Sequence, residues 1–331
     1  MIIHMLQAGA GDCFVIDFEN GKCILIDGGI PKTYNESLKP LLLQLNREGK
    51  RIENLICTHF DNDHIGGLIK LIQDNGSYSD PKIIPIENVL CNRFDYLYSD
   101  SKPIHLERKS PISYNQQISF EELCLQNGYP MPTEPIVTGQ IFEGTGYSIN
   151  VIAPSPEALE KCKKSIPVVD SVRKHETISA VGFIDIPQWK DTNIGPKLND
   201  VNCASLAVEI VENDKVVLFC GDANMDSYRH LLNDHYDLIK LSHHGTYHGN
   251  ECFIGESAKK AEKYIISTNS TRYSHPELKL LAEIIMHDRY KELLFNYDLT
   301  RFKSTEYGLL NSSAQQEKYR FTTDVVSRIE I

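Results

Sequence analysis

The stretch THFDNDHIGG at residues 58–67 limits the folds open to this chain more than any other segment. It directly follows the apolar segment NLIC and holds His59, Asp61, Asp63 and His64 within six residues. In an extended turn, positions 59, 61 and 63 point the same way, and His64 then opens the next helix. Imidazole and carboxylate are ligands of divalent metals, and crowding them together without a cation is costly. The alternative interpretation is a solvated polar loop with an Asx turn and a helix cap.

Short apolar segments on both sides of this stretch predict a sheet protein in which strands alternate with helices. IIHML, CFVID and KCILID are rich in β-branched residues and are separated by turns, which is typical of strands. Leucines at helical spacing in ESLKPLLLQLNREGK predict a helix, and regular alternation returns from SLAVEIV onward. The range 75–200 is rich in proline, tyrosine and glycine, with weak periodicity. We therefore predict one domain over 1–331, with an insertion at about 75–200 that caps the cleft and carries a charged helix around PEALEKCKK.

THFDNDHIGG resembles the metal signature T-H-x-H-x-D-H-x-G of the metallo-β-lactamase superfamily, with Asp61 at the second histidine position. This HxDxDH variant is similar to that of the ComEC-like hydrolase domains and of choline-binding phosphorylcholine esterases. Further segments resemble superfamily motifs in the same order, namely QAGAGDCFVI, LIDGG, NCASLAVEI, FCGDA, KLSHHGT and YSHPE. The resemblance implies an α/β fold, a four-layer αββα sandwich of two mixed sheets face to face, with metals at the rim that the sheets share.

The later motifs supply further ligand candidates. Asp222 follows KVVLFCG, where its two oxygens can bridge two metals about 3.5–4 Å apart, although it can also cap a helix that begins near Asn224. His243 and His244 end the strand LIKLS, and adjacent residues of an extended chain face opposite ways. Only one of the pair should therefore bind metal, and His244 is preferred. The other would donate a proton to the leaving group or support the site, so both count with Asp63 as catalytic candidates.

Three more residues complete the predicted site. His275 precedes Pro276 at a helix start, where its imidazole can point into a cleft or serve as an ordinary cap. Asn202 stands where many superfamily members have a histidine, and it either donates a hydrogen bond near the substrate or belongs to a loop. Asp27 resembles the early strand-end aspartate of the superfamily. We expect Asp27 to orient a metal-binding histidine from behind and not to bind metal itself.

Charge restricts the cofactor and the substrate. Three carboxylates, Asp61, Asp63 and Asp222, give −3 against the +4 of two divalent ions, so a bridging hydroxide leaves a neutral centre. The added carboxylate makes manganese or iron a rival to zinc. The net charge of −11 disfavours long duplex DNA. No apolar run approaches the roughly 18 residues of a membrane span, and the start lacks signal-peptide features, so we expect a cytoplasmic protein with no membrane contact.

Metal chemistry and the resemblance together predict a binuclear metal-dependent hydrolase that uses a metal-activated hydroxide. The expected substrate is a phosphodiester or phosphoester, either a small molecule or single-stranded. Two alternatives stay open: a carboxyl-ester or lactone hydrolase, and a metal-binding sensor or assembly subunit whose insertion docks a protein partner. A basic residue in the cleft would favour phosphate, and the candidates are Lys240, Arg272 and residues 161–164. The oligomeric state is left open.

Overall fold

Two β-sheets lie at the centre of the structure, a computed structural model that describes residues 1–93, 112–164, 183–255, 260–271, 274–287, 289–301 and 307–331. The first sheet has six strands in the order β14-β1-β2-β3-β4-β5. Its strands are β1 (Ile2–Met5), β2 (Phe14–Asp17), β3 (Lys22–Ile26), β4 (Arg51–Ile56), β5 (Ile86–Leu90) and β14 (Arg328–Glu330). The pairs from β14 to β3 are antiparallel, whereas β3, β4 and β5 run parallel.

The second sheet has eight strands in the order β13-β12-β11-β10-β9-β8-β7-β6. Its strands are β6 (Ile141–Gly144), β7 (Tyr147–Ala153), β8 (Ala207–Glu212), β9 (Lys215–Phe219), β10 (His235–Lys240), β11 (Lys260–Ile266), β12 (Lys291–Phe295) and β13 (Phe321–Val325). Strands β9 to β13 run parallel. The carboxyl ends of these parallel strands therefore lie at the same end of the sheet. The segments that follow them carry the motifs of the second half.

Helices cover the outer faces of both sheets. The α-helices are α1 (Pro31–Thr33), α2 (Lys39–Arg47), α3 (Asn62–Asn75), α4 (Ile112–Gln126), α5 (Pro156–Lys164), α6 (Asp200–Cys203), α7 (Leu278–Ile285) and α8 (Ser313–Tyr319). Apolar side chains of α2 and α3 form one core with the first sheet, and those of α7 form another with the second. A third core lies between the sheets, where the rings of Phe14 and Phe219 are 5.3 Å apart. Three apolar layers separate four structural layers, so the predicted αββα sandwich is confirmed.

The segment after β9 forms a 3₁₀ helix over Met225–Leu231. The C-terminal strands β13 and β14, which the sequence pattern did not indicate, each add an edge strand to one of the two sheets. In the described part of the chain, every helix is too short or too polar to cross a bilayer.

The described residues of the range 75–200 contribute strands to both sheets. They supply β5 at one edge of the first sheet and β6 and β7 at one edge of the second. Helix α4 packs on α3, and the predicted charged helix is present as α5. Residues 94–111 and 165–182 lie outside the described residues. The insertion boundaries and its role as a cap therefore stay predictions.

Two glycines let helix α3 approach the loop after β3 at backbone contact. The Gly28 amide donates to the carbonyl of His64 at 2.8 Å, and the Gly67 amide donates to the carbonyl of Gly29 at 2.8 Å. A Cβ atom on Gly67 would lie 1.9 Å from the carbonyl oxygen of Gly28, which is impossible without movement. Because Asp27 precedes this loop and His64 lies on the helix, the close approach brings the two side chains together.

The substitution Gly67→Ala should lower the free energy of unfolding by about 1–3 kcal/mol, which is the usual cost of overpacking. Alanine is normally the better helix residue, so the sign of the effect identifies the backbone contact as its cause. Urea denaturation of the metal-free protein measures it. Gly308→Ala is the control, because a Cβ there meets no atom of the described residues within 4 Å. A Gly67→Ala variant as stable as the parent chain would contradict this role for the glycine.

Candidate metal centre

Three segments that follow strand ends meet at one place. The 58–64 segment follows β4, Asp222 follows β9, and His243 and His244 follow β10. One carboxylate oxygen, Oδ2 of Asp222, is the centre of the cluster. It lies 3.6 Å from Nε2 of His59 and 3.6 Å from Nε2 of His64. It also lies 3.7 Å from Nε2 of His243 and 3.7 Å from Nε2 of His244.

The donor atoms of this cluster fit a bound cation. Nε2 of His59, Nε2 of His64 and Oδ1 of Asp222 are buried and have no hydrogen-bond partner among the described residues. Such atoms cost free energy unless something else satisfies them. Nitrogen and carboxylate oxygen donors around one point suit a divalent ion such as zinc or manganese. The geometry of the cluster therefore fits a site for a divalent metal ion.

Asp27 supports His64 from behind. It is fully buried, and its Oδ2 lies 2.7 Å from Nδ1 of His64. Burial disfavours a charged imidazole, but the carboxylates of Asp222 and Asp27 outweigh it and raise the pKa of His64 well above its ordinary value. The pKa of Asp222 is held well below its ordinary value, because the surrounding imidazoles outweigh the opposing effect of burial. The side chains are thus arranged to keep Asp222 ionised.

His243 and His244 both face Asp222, and the premise that they lie in extended chain was wrong. Their φ angles are 44° and 60°, so both have left-handed backbone, and they form a short 3₁₀ turn (Ser242–His244). His244 is buried, and its Nδ1 lies 2.9 Å from the carbonyl oxygen of Ser267, to which it can donate. The side chain of His243 is 22% exposed. Burial lowers the pKa of His243 to about 4.

Asn202 and His275 lie beside His243. Nδ2 of Asn202 is 3.2 Å from Nε2 of His243, and Asn202 itself lies on α6. The imidazole centroids of His275 and His243 are 5.3 Å apart, and those of His275 and His244 are 6.5 Å apart. Both residues are buried. The structure therefore brings the two later motifs to the same end of the cleft as the histidine pair.

The prediction that Asp61 and Asp63 point the same way from an extended turn was wrong. Asp61 precedes α3 as its N-cap residue, and its Oδ2 lies 3.7 Å from Nε2 of His59. Asp63 lies in the first turn of the helix, so the alternation of positions ends at Asp61. Burial lowers the pKa of His243, and the partly exposed carboxylate of Asp63 opposes a small part of this effect. Its part as a metal ligand stays a prediction.

Asp12, a buried carboxylate next to the cluster, was not predicted from the sequence. Ligand atoms of Asp12, His64, Asp222 and His244 all lie within 4.8 Å of one another. Oδ1 of Asp12 is 3.5 Å from Nδ1 of His244. The only signal in the sequence was its position in the QAGAGDCFVI hairpin, which resembles a superfamily segment without indicating a role for the aspartate.

Lys240 is not a phosphate clamp in the cleft. It is 1% exposed, its ammonium contacts Oδ2 of Asp12, and Nζ donates to the carbonyl of Gly221 at 3.0 Å. Of the other basic candidates, Lys163 on helix α5 pairs with Glu160 at 2.6 Å. Arg272 lies outside the described residues. Lys240 and Lys163 are therefore both paired with acidic side chains.

One family model and several solved structures are similar to this chain. A family model described as the metallo-beta-lactamase superfamily matches residues 6–76. The search of curated proteins found no match. Similar solved structures include Zn²⁺-bound PqqB from Methylobacterium extorquens, with 12% identity over 100% of both chains and a TM-score of 0.47. YhfI from Bacillus subtilis, a metallo-beta-lactamase fold protein, has 10% identity over 100% of both chains and a TM-score of 0.41. The short form of human tRNase Z has 15% identity over 73% of this chain and 77% of its own, with a TM-score of 0.35.

Proposed function

We propose that this chain, which has the metallo-β-lactamase fold and matches the superfamily model over residues 6–76, is a binuclear metal-dependent hydrolase of a phosphodiester or phosphoester. One observation carries the proposal. Four imidazole Nε2 atoms surround Oδ2 of Asp222 at 3.6–3.7 Å, and buried donor atoms among them have no protein partner in the described residues. A purely structural role would leave these groups unsatisfied at considerable cost.

We propose two donor sets that share Asp222. His59 and Asp61, whose Nε2 and Oδ2 atoms are 3.7 Å apart, form one set, and His64 and His244 form the other, with Asp63 and His275 as the predicted remaining ligands. Two divalent cations, when bound, would supply activation of water and polarisation of the ester oxygen. Zinc and manganese are the proposed ions, because the set mixes imidazoles with carboxylates.

The two adjacent histidines have different surroundings and are therefore assigned different roles. His244 is buried, and the contact of its Nδ1 with the carbonyl of Ser267 leaves Nε2 directed at Asp222. We assign His244 to metal binding, since a ligating histidine commonly donates its second N–H to a carbonyl. His243 is more exposed and is contacted by Asn202. Because its low pKa leaves the ring neutral near pH 7, we assign His243 to a hydrogen-bond contact with the leaving group, with Asn202 holding its ring.

The phosphodiester assignment rests on the HxDxDH signature and on charge. The signature resembles that of ComEC-like phosphodiester and phosphoester hydrolases, and the net charge of −11 favours a small or single-stranded substrate. Because Lys240 is committed to Asp12, it does not supply the basic group that would distinguish phosphate from a carboxyl ester. The ester hydrolase alternative is therefore kept as an outcome of the test.

Turnover of bis-p-nitrophenyl phosphate and of p-nitrophenyl acetate, each with manganese and with zinc, tests the proposal. We expect metal-dependent cleavage of the diester that a chelator abolishes. Cleavage of the acyl ester alone would replace the proposal with the carboxyl-ester hydrolase. Metal binding without either activity would favour a sensor or assembly subunit that works through a partner.

The variant Asp61→His should keep its bound metal and shift its preference from manganese toward zinc. The substitution restores the superfamily histidine beside His59, replacing an oxygen donor with a nitrogen donor and removing one negative charge. Competition between the two ions, read by metal analysis of the dialysed protein, measures the shift. Complete loss of metal from this variant would show that Asp61 does not occupy the place of the substituted ligand.

A further inference from the structure

Thr58 connects the buried carboxylate of Asp27 with a second imidazole of the cluster. Its backbone N–H donates to Oδ1 of Asp27 at 2.8 Å, and its hydroxyl donates to Oδ2 at 2.7 Å. The same hydroxyl oxygen lies 3.1 Å from Nδ1 of His59. Asp27 and Thr58 are 0% and 4% exposed, so water does not compete for these contacts.

The proton positions along this chain follow from the chemistry of the groups. An ionised carboxylate only accepts hydrogen bonds, so the single hydroxyl proton of Thr58 lies on the bond to Asp27. The hydroxyl oxygen is therefore an acceptor toward His59, and Nδ1 of His59 must carry the proton of their contact. The contact of Nδ1 of His64 with Oδ2 of Asp27 places a proton on that nitrogen in the same way. When the two rings are neutral, this arrangement leaves both Nε2 atoms without a proton and able to bind a cation beside Asp222.

We propose that Thr58 is a positioning residue, through which the one carboxylate of Asp27 sets the tautomers of two metal-binding histidines at once. The carboxylate acts directly on His64, and it acts on His59 through the hydroxyl of Thr58. The inference rests on the proposed metal centre but not on its reaction. Without the relay, Nδ1 of His59 would keep only the Ser205 hydroxyl at 3.4 Å, which already accepts from the backbone N–H of Asp222 at 3.1 Å.

Thr58→Val tests the relay, because valine keeps the shape of threonine and removes the hydroxyl. We expect the zinc dissociation constant, measured by chelator competition, to rise about 10-fold or more, as when other groups supporting metal-bound histidines are removed. In the zinc-loaded protein, long-range ¹⁵N–¹H spectra should show the hydrogen-bonded Nδ1–H signal of His59 shifted or lost. Thr58→Ser should restore both properties, since serine keeps the hydroxyl.

Thr33→Val is the matched control, because Thr33 is also buried and its hydroxyl donates only to the carbonyl of Gln7, at 3.3 Å. It should leave zinc affinity and the His59 signal unchanged. Unchanged affinity and spectra in Thr58→Val would overturn the inference, as would equal losses in the valine and serine variants. A parent protein that shows the relay and binds zinc, but cleaves neither chromogenic ester, would leave the inference standing and remove the proposed function instead.

Discussion

Replacing Asp222 with asparagine should remove at least one metal ion and lower turnover by several orders of magnitude, while the fold survives. The reason is the position of its carboxylate, whose Oδ2 is the atom that four imidazoles share. An amide keeps the size of the side chain but loses the negative charge and one of the two oxygens that could bridge two cations. The imidazoles would remain, but no carboxylate at this position would offset the positive charge of the ions.

Metal analysis after dialysis, together with turnover of bis-p-nitrophenyl phosphate, measures both effects on the same sample. Asp237→Asn is the matched control. Asp237 accepts a hydrogen bond from the backbone N–H of Val216 and pairs with Lys215, away from the cluster. It should keep full metal content and activity. Full occupancy of both ions in Asp222→Asn would show that the carboxylate is not the bridge, whatever happens to the rate.

Much of the candidate site could be predicted because its candidate ligands follow strand ends. Strands such as β9 and β10 are recognisable as buried apolar runs, and parallel neighbours bring the residues after them to one edge. This arrangement brings Asp222 together with His243 and His244. In the sequence, only the order of the motifs connected these residues with the 58–64 segment. The alternation of strands and helices predicted a sheet protein, and the resemblance to the superfamily implied the αββα sandwich.

Backbone conformation and long-range pairing were the parts that sequence pattern did not reveal. Left-handed φ angles at His243 and His244 are uncommon outside glycine, so extended chain was the natural expectation. The N-cap at Asp61 ended an alternation that would otherwise have included Asp63. Asp12 and Lys240 meet only after the first hairpin and β10 have packed together, and no local pattern encodes such a meeting. A lysine inside the apolar strand LIKLS was nevertheless a signal, because a buried ammonium requires a partner.

Lys240→Met should lower the free energy of unfolding of the metal-free protein by about 3–5 kcal/mol, the range for breaking a buried ion pair from one side. Methionine fills a similar volume, so little of the loss comes from a cavity. The loss arises mainly because Asp12, 3% exposed at its side chain, would remain buried without its cation. Gly221, beside Asp222, would also lose the donor to its carbonyl. The effect should therefore extend to the metal centre.

Urea denaturation in the presence of a chelator measures this loss without a contribution from metal binding. The double variant Asp12→Asn/Lys240→Met should be more stable than the sum of the single effects predicts, by about 1 kcal/mol or more, because neither charge is then left alone. Lys215→Met is the control for the loss of a lysine. Its partner Asp237 lies 3.0 Å away at the surface, so stability should hardly change. Additive effects of the Asp12 and Lys240 substitutions would mean that the buried contact is not an energetic pair, and that Lys240 stabilises the protein through its bond to Gly221 alone.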